Sequence, residues 1–130
     1  MQTWNISDDG ALREMSLGTP RSTVRSRFGE YREFRRTPSA PESDQFPEVG
    51  MMTTYDEGQC LVFMELTWPA TVMFKGVSLL GQGLENLARL LGNAGMVIRS
   101  IPDAGYVEGL PLEFYAPNGT VEGVMLGVDV

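Results

Sequence analysis

A chain of 130 residues with 42% hydrophobic and 21% charged residues has the make-up of one globular domain, and this apolar content excludes an intrinsically disordered chain. Histidine is absent and Cys60 is the only cysteine, which excludes internal disulfides, most zinc sites and every histidine-based acid or base. The net charge of -7 is unevenly spread: Arg13, Arg21, Arg25, Arg27, Arg32, Arg35 and Arg36 crowd the first 36 positions, residues 37–74 hold acids and no base, and only acids follow Arg99. Such a surface repels nucleic acid and attracts basic proteins.

No basic-then-apolar leader opens the sequence, and no apolar run approaches the roughly 20 residues of a membrane helix, so the expectation is a soluble cytoplasmic protein. Residues 4–7 alternate apolar and polar and stop at Asp8-Asp9-Gly10, which predicts an edge strand or an ordered arm. Thr19 then reads as an N-cap and Pro20 as the first residue of a short helix. Val24 and Phe28, four apart, share its apolar face, Arg21, Arg25 and Arg32 point to water, and Gly29 supplies the positive φ that closes it. Residues 31–34 begin a strand. Residues 37–47 read as a loop, because Pro38, Pro41 and Pro47 remove ladder donors and the remainder is mostly polar.

Residues 51–55 and 60–66 predict a hairpin around Asp56-Glu57-Gly58. Trp68-Pro69 interrupts the ladder, residues 71–74 form another strand, and Lys75-Gly76 makes a turn. Leu84, Leu87 and Leu91 mark one face of a second helix, on which Glu85 and Arg89 are spaced to pair, and Gly92-Asn93-Ala94-Gly95 ends it. Strands follow at 96–101, 110–115 and 121–128. A turn at 102–105 follows the first, and Pro117-Asn118-Gly119 joins the last two through a type I′ turn. Leu17-Gly18, Val24, Phe28 and Gly29 recur at one constant offset as Leu80-Gly81, Leu87, Leu91 and Gly92. The expected fold is therefore α+β: a single domain of two helix-plus-antiparallel-strand pseudo-repeats, about residues 1–66 and 67–130, forming one curved sheet with the helices on one face.

Little in the sequence carries catalytic chemistry. Gly81-Gln82-Gly83 precedes a helix, but Asn86 stands where a dinucleotide fingerprint needs glycine, and no P-loop lysine follows. Cys60 lacks a histidine to generate its thiolate. Asp56 with Glu57, or Glu113 with Glu122, are carboxylate pairs of the kind found on solvated turns and strand faces, and no calcium loop is present. The expectation is no enzyme, no cofactor and no metal. The numerous methionines fit gap-filling in a core, and the arginine run fits internal pairing with the acidic loop.

The pattern Leu17-Gly18-Thr19-Pro20, Val24, Phe28-Gly29 resembles the opening of BamE/SmpA-type modules, and its tandem recurrence is similar to the architecture of the β-lactamase inhibitory proteins. That resemblance implies a sheet used as a protein-binding surface. In size and acidity the chain looks like the immunity proteins of bacterial toxin systems, a class with no shared motif from which to carry residues over. The resulting expectation is a non-enzymatic protein-binding module, most specifically an immunity protein that neutralises a cognate toxin; its partner is a basic toxin domain, with no nucleic acid and no membrane. The alternatives are an assembly or regulatory adaptor of BamE-like fold and, third, a small carboxylate-dependent enzyme. Glu42, Asp44, Glu48, Asp56 and Glu57 form the expected charged patch, with Phe46 and Tyr55 as aromatic anchors.

Overall fold

The computed structural model describes residues 2–127. Strand β1 (Thr3–Ile6) precedes helix α1 (Arg21–Phe28), and four strands follow: β2 (Arg32–Phe34), β3 (Ser43–Phe46), β4 (Met51–Tyr55) and β5 (Leu61–Thr67). The second half runs β6 (Thr71–Phe74), β7 (Val77–Ser78), helix α2 (Leu84–Asn93), β8 (Ile98–Ile101), β9 (Ala104–Val107), β10 (Leu112–Tyr115) and β11 (Gly123–Gly127). Eight strands form one antiparallel sheet in the order β2-β3-β4-β5-β11-β10-β9-β8. The other three form a separate sheet, β1-β6-β7, in which β1 and β6 run parallel.

This corrects the expected α+β fold of two helix-plus-strand repeats in one sheet. The protein is mostly β, with two sheets and two short α-helices among the described residues. The physical reason lies in how little the helices can cover. Helix α1 has eight residues and buries only Arg21 and Val24, with Phe28 packed partly against the core. The remaining cover comes from the second sheet, whose Trp4, Ile6, Val72 and Phe74 join Phe46, Leu66, Leu112, Phe114 and Leu126 of the large sheet in one buried cluster. The parallel pairing of β1 with β6 places Trp4 beside Val72 and Ile6 beside Phe74, so both strands turn the same alternate residues into that cluster. The Trp4 ring lies 5.2 Å from Phe28, and its buried indole N–H has no hydrogen-bond partner among the described residues.

Four local expectations also change. Helix α1 begins one residue later than Thr19 and Pro20 imply. Pro20 takes the N-cap position with extended backbone, and the Thr19 hydroxyl donates back to the Ser16 carbonyl. The proline-rich stretch holds strand β3, paired on both sides with β2 and β4, so the irregular segment is only residues 35–42. Residues 104–107, read partly as a turn, form β9 between β8 and β10. At the β10–β11 turn Gly119 alone takes positive φ, so the turn is not type I′. The Gly119 N–H bonds the Ala116 carbonyl, as the Gln59 N–H, also at a positive-φ residue, bonds Asp56 in the β4–β5 turn. The expected final strand ends at Gly127, and Val128 lies outside the described residues.

The approach to each helix is held in the same way. The Gly18 N–H bonds Leu61 O, Leu61 N–H bonds Thr19 O, and Arg21 N–H bonds Gln59 O. In the second half the corresponding bonds run from Gly81 to Val121 O, from Val121 to Gln82 O, and from Leu84 to Gly119 O. Helix α2 carries the stronger apolar stripe, burying Leu87 and Leu91 completely. Its C-terminus closes with Gly95 at positive φ and the Met96 N–H on the Leu91 carbonyl. Arg89 donates to Asn86 in place of the expected pairing with Glu85.

Candidate functional site

Alternation along the large sheet gives it two different faces. Asp44, Phe46, Met51, Thr53, Met64, Leu66, Val124, Leu126, Leu112 and Phe114 lie on the inner face, and all are buried. The opposite face keeps Gln45, Met52, Glu65, Met125, Glu113, Tyr106 and Tyr115 partly or fully in solvent.

The inner face carries a charged residue near its β2 edge. Asp44 is 0% exposed and is held by two arginines from α1. Arg21, itself 6% exposed, donates through Nη2 and Nε to Asp44 at 3.0 and 3.3 Å, through Nη1 to Glu42 at 2.6 Å and to Gln59 at 2.8 Å, and through Nη2 to Glu33 at 2.8 Å. Arg25 grips the same Asp44 carboxylate with two bonds of 2.8 and 2.9 Å. The rings of Tyr55 and Tyr31 lie beneath the two guanidinium groups, at 4.8 and 4.2 Å. Arg35 reaches across to Glu42 at 3.0 Å. The expectation that Arg21 and Arg25 point to water is thereby corrected: Arg21, the first residue of α1, and Arg25, one turn on, both lie against Asp44 of β3, and Arg21 meets Glu33 and Glu42 as well.

Burial alone would raise the Asp44 carboxyl, but the hydrogen bonds from Arg25 and Arg21 outweigh it and hold the group below its ordinary value. The Arg21 hydrogen bond likewise lowers Glu42. Burial of the Tyr55 phenol raises it, with the Thr53 hydroxyl donating to its oxygen at 2.7 Å. A carboxylate depressed on folding contributes stability above its unfolded pKa of about 3.9 and loses that contribution as pH falls through the folded value. The midpoint of urea unfolding is therefore expected to hold steady between about pH 7 and 5 and to drop below about pH 4, more shallowly in Asp44→Asn. An unchanged acid slope in that variant removes Asp44 as the source.

These positions decide what the predicted patch can offer. Asp44, Phe46 and Tyr55 are 0%, 0% and 2% exposed, so they are corrected from surface contacts to core residues. Phe46 packs on Phe28, where its strand's inner face requires an apolar side chain. Glu42 is half-buried and engaged by Arg21 and Arg35. Glu48, Asp56 and Glu57 are exposed, although the Asp56 carboxylate accepts the Cys60 N–H within its turn. Glu42, Tyr55, Asp56 and Glu57 do come together around a cleft of about 490 Å³ beside the 35–42 segment, away from Glu48 and Phe46. Cys60 is half-buried, its thiol over the Gly58 carbonyl. Among the described residues no group of three or more Asp, Glu or Cys stands close enough to hold a metal ion, and no helix is long and apolar enough to cross a membrane.

The residue that the sequence reading passed over is Trp68. It is 85% exposed, at the end of β5 on the turn that leads to β6. Backbone hydrogen bonds tie that turn, from the Thr67 N–H to Gly50 O and from the Ala70 N–H to Thr67 O. Tyr115, 43% exposed on β10, stands on the same side, and the two rings help to line a cleft of about 640 Å³ on the open face. With this geometry established, comparison with protein-family models, curated proteins and solved structures finds no match to the chain.

Proposed function

We propose that the chain is a protein-binding module, most specifically an immunity protein that binds and neutralises a cognate bacterial toxin. One observation carries the reading: a tryptophan held almost wholly in solvent on a hydrogen-bonded turn, beside a sheet face that presents tyrosines, methionines and glutamates. Tryptophan and tyrosine are enriched among the residues that dominate binding energy, and methionine adapts to irregular surfaces. Burying such side chains against a partner recovers the hydrophobic free energy that exposure forgoes. The net charge of -7 adds selectivity for a basic partner and accelerates its encounter.

The surface that supports this reading is the open sheet face around Trp68. The earlier patch retains Glu48, Asp56 and Glu57 as exposed charges able to steer a basic partner toward the molecule. The test is co-expression with the toxin domain encoded beside the gene. Co-purification and loss of toxicity are expected. Failure on both counts sinks the immunity reading and favours the adaptor.

A further inference from the structure

The large sheet ends at β8, and the outer flank of that strand has no cover among the described residues. The other sheet edges are shorter or protected. Strand β2 has three residues and β7 has two, while β1 is flanked by Leu12, which bridges Ile6, and by Arg13, whose N–H bonds Asn5 O. On β8 the alternation of an antiparallel ladder decides which groups face out. The Glu108 N–H bonds Val97 O, so the backbone groups of Val97, Arg99 and Ile101 point to β9, and those of Ile98 and Ser100 point away from the sheet. Val97 and Ile101, 50% and 45% exposed, alternate onto the open face. Between them the Arg99 side chain is drawn toward the end of β9, where its Nε bonds Glu108 at 2.7 Å.

Resting on the protein-binding reading, we infer that β8 receives an extended segment of the basic partner as a ninth strand. Outward ladder groups are matched by another extended backbone, which a helix does not offer because its own backbone groups are already paired. An edge that is not a binding site is normally blunted by charge, bulges or a covering segment. The local charge selects the kind of segment. Between residues 96 and 127 the chain carries one cation, Arg99, against Asp103, Glu108, Glu113 and Glu122, all exposed, so a basic strand is attracted and an acidic one repelled. A second copy fits less well. Two-fold pairing that bonds Ile98 to Ser100 in both directions sets Arg99 opposite Arg99, and each copy carries a net charge of -7. The site is continuous with the face already described, since Ile101, Ala104, Tyr115, Gly123 and Thr67 form one register row from β8 to the turn that bears Trp68.

The test follows backbone amides by NMR. The probe is acetyl-Lys-Val-Thr-Val-Lys-amide at millimolar concentration, with glutamate replacing both lysines in the control peptide. Saturable shifts and slowed hydrogen exchange are expected at the Ile98 and Ser100 N–H groups, with the control binding about fivefold more weakly. No response at either amide, or equal affinity for both peptides, overturns the proposal. Protection that instead grows with the protein's own concentration, together with a doubled mass, assigns the edge to a second copy and overturns it too. Ser100→Pro removes an outward donor and no bond to β9, so the urea midpoint is expected to hold while peptide binding falls about tenfold. Val97→Lys, at an exposed side chain, is expected to weaken the basic peptide similarly without touching the backbone. Undiminished binding in both variants refutes the edge. With a captured toxin, unchanged exchange at Ile98 and Ser100 refutes the edge and leaves the immunity reading intact. A peptide that adds to β8 without any captured toxin keeps the edge and ends the immunity reading.

Discussion

Asp44→Ala is expected to lower the unfolding free energy by about 3–5 kcal/mol, the usual cost of removing one partner from a buried ion pair. The carboxylate accepts four hydrogen bonds from Arg21 and Arg25, and it is completely covered. Without it the two guanidiniums face each other in a poorly solvated space, with Glu33 and Glu42 left as counterions at its rim. Urea unfolding followed by circular dichroism reads the loss as a lower midpoint at unchanged slope. A loss under about 1 kcal/mol means that the network does not hold α1 to β3. The double variant Arg21→Met, Asp44→Leu is expected to recover most of the loss, because it removes both buried charges together and leaves the half-exposed Arg25 to Glu33 and water.

Gly50→Ala is expected to cost about 3 kcal/mol through two separable effects. Gly50 has φ 63°, and a Cβ there would stand 2.2 Å from the Thr67 carbonyl oxygen and 2.9 Å from the Ala70 nitrogen. Both are backbone atoms of the turn that carries Trp68, so neither swings aside as a side-chain end does. Left-handed backbone costs an alanine about 1–2 kcal/mol, and the forced displacement adds about 1–3 kcal/mol. Gly95→Ala isolates the first effect, since Gly95 has φ 87° with nothing among the described residues within 4 Å of a Cβ. Equal losses in the two variants, measured in parallel urea titrations, defeat the argument from close approach.

Much of the secondary structure was legible because its signals are local. Val24 with Phe28, and Leu84, Leu87 and Leu91, mark helices whose buried faces they supply, and β4, β5 and β6 lie where β-branched and aromatic residues cluster. Strand β3 was hidden because Ser43, Asp44 and Gln45 look like loop residues until the arginines that neutralise Asp44 are brought from 19 and 23 positions away. The second sheet was hidden for a related reason: β1 pairs with β6 from the far half of the chain, and nothing within either segment announces a parallel partner. For the site, the acids and arginines were visible but their mutual engagement was not. Composition counts Glu42 and Asp44 as free charge when three-dimensional pairing has spent it. Trp68 was visible only as an interruption, because sequence does not distinguish a tryptophan that fills a core, as Trp4 does, from one held in water.

The strand order has a consequence for synthesis. Strand β11 is the last described along the chain, yet it lies between β5 and β10, in the middle of the eight-stranded sheet. While a ribosome works through the residues after Thr67, β5 is finished on one side by β4 and unpaired on the other. At about 5–20 residues per second that edge waits for several seconds, bearing Phe63, Met64 and Leu66 uncovered. The nascent chain is therefore most vulnerable to intermolecular strand pairing in the interval before β11 emerges.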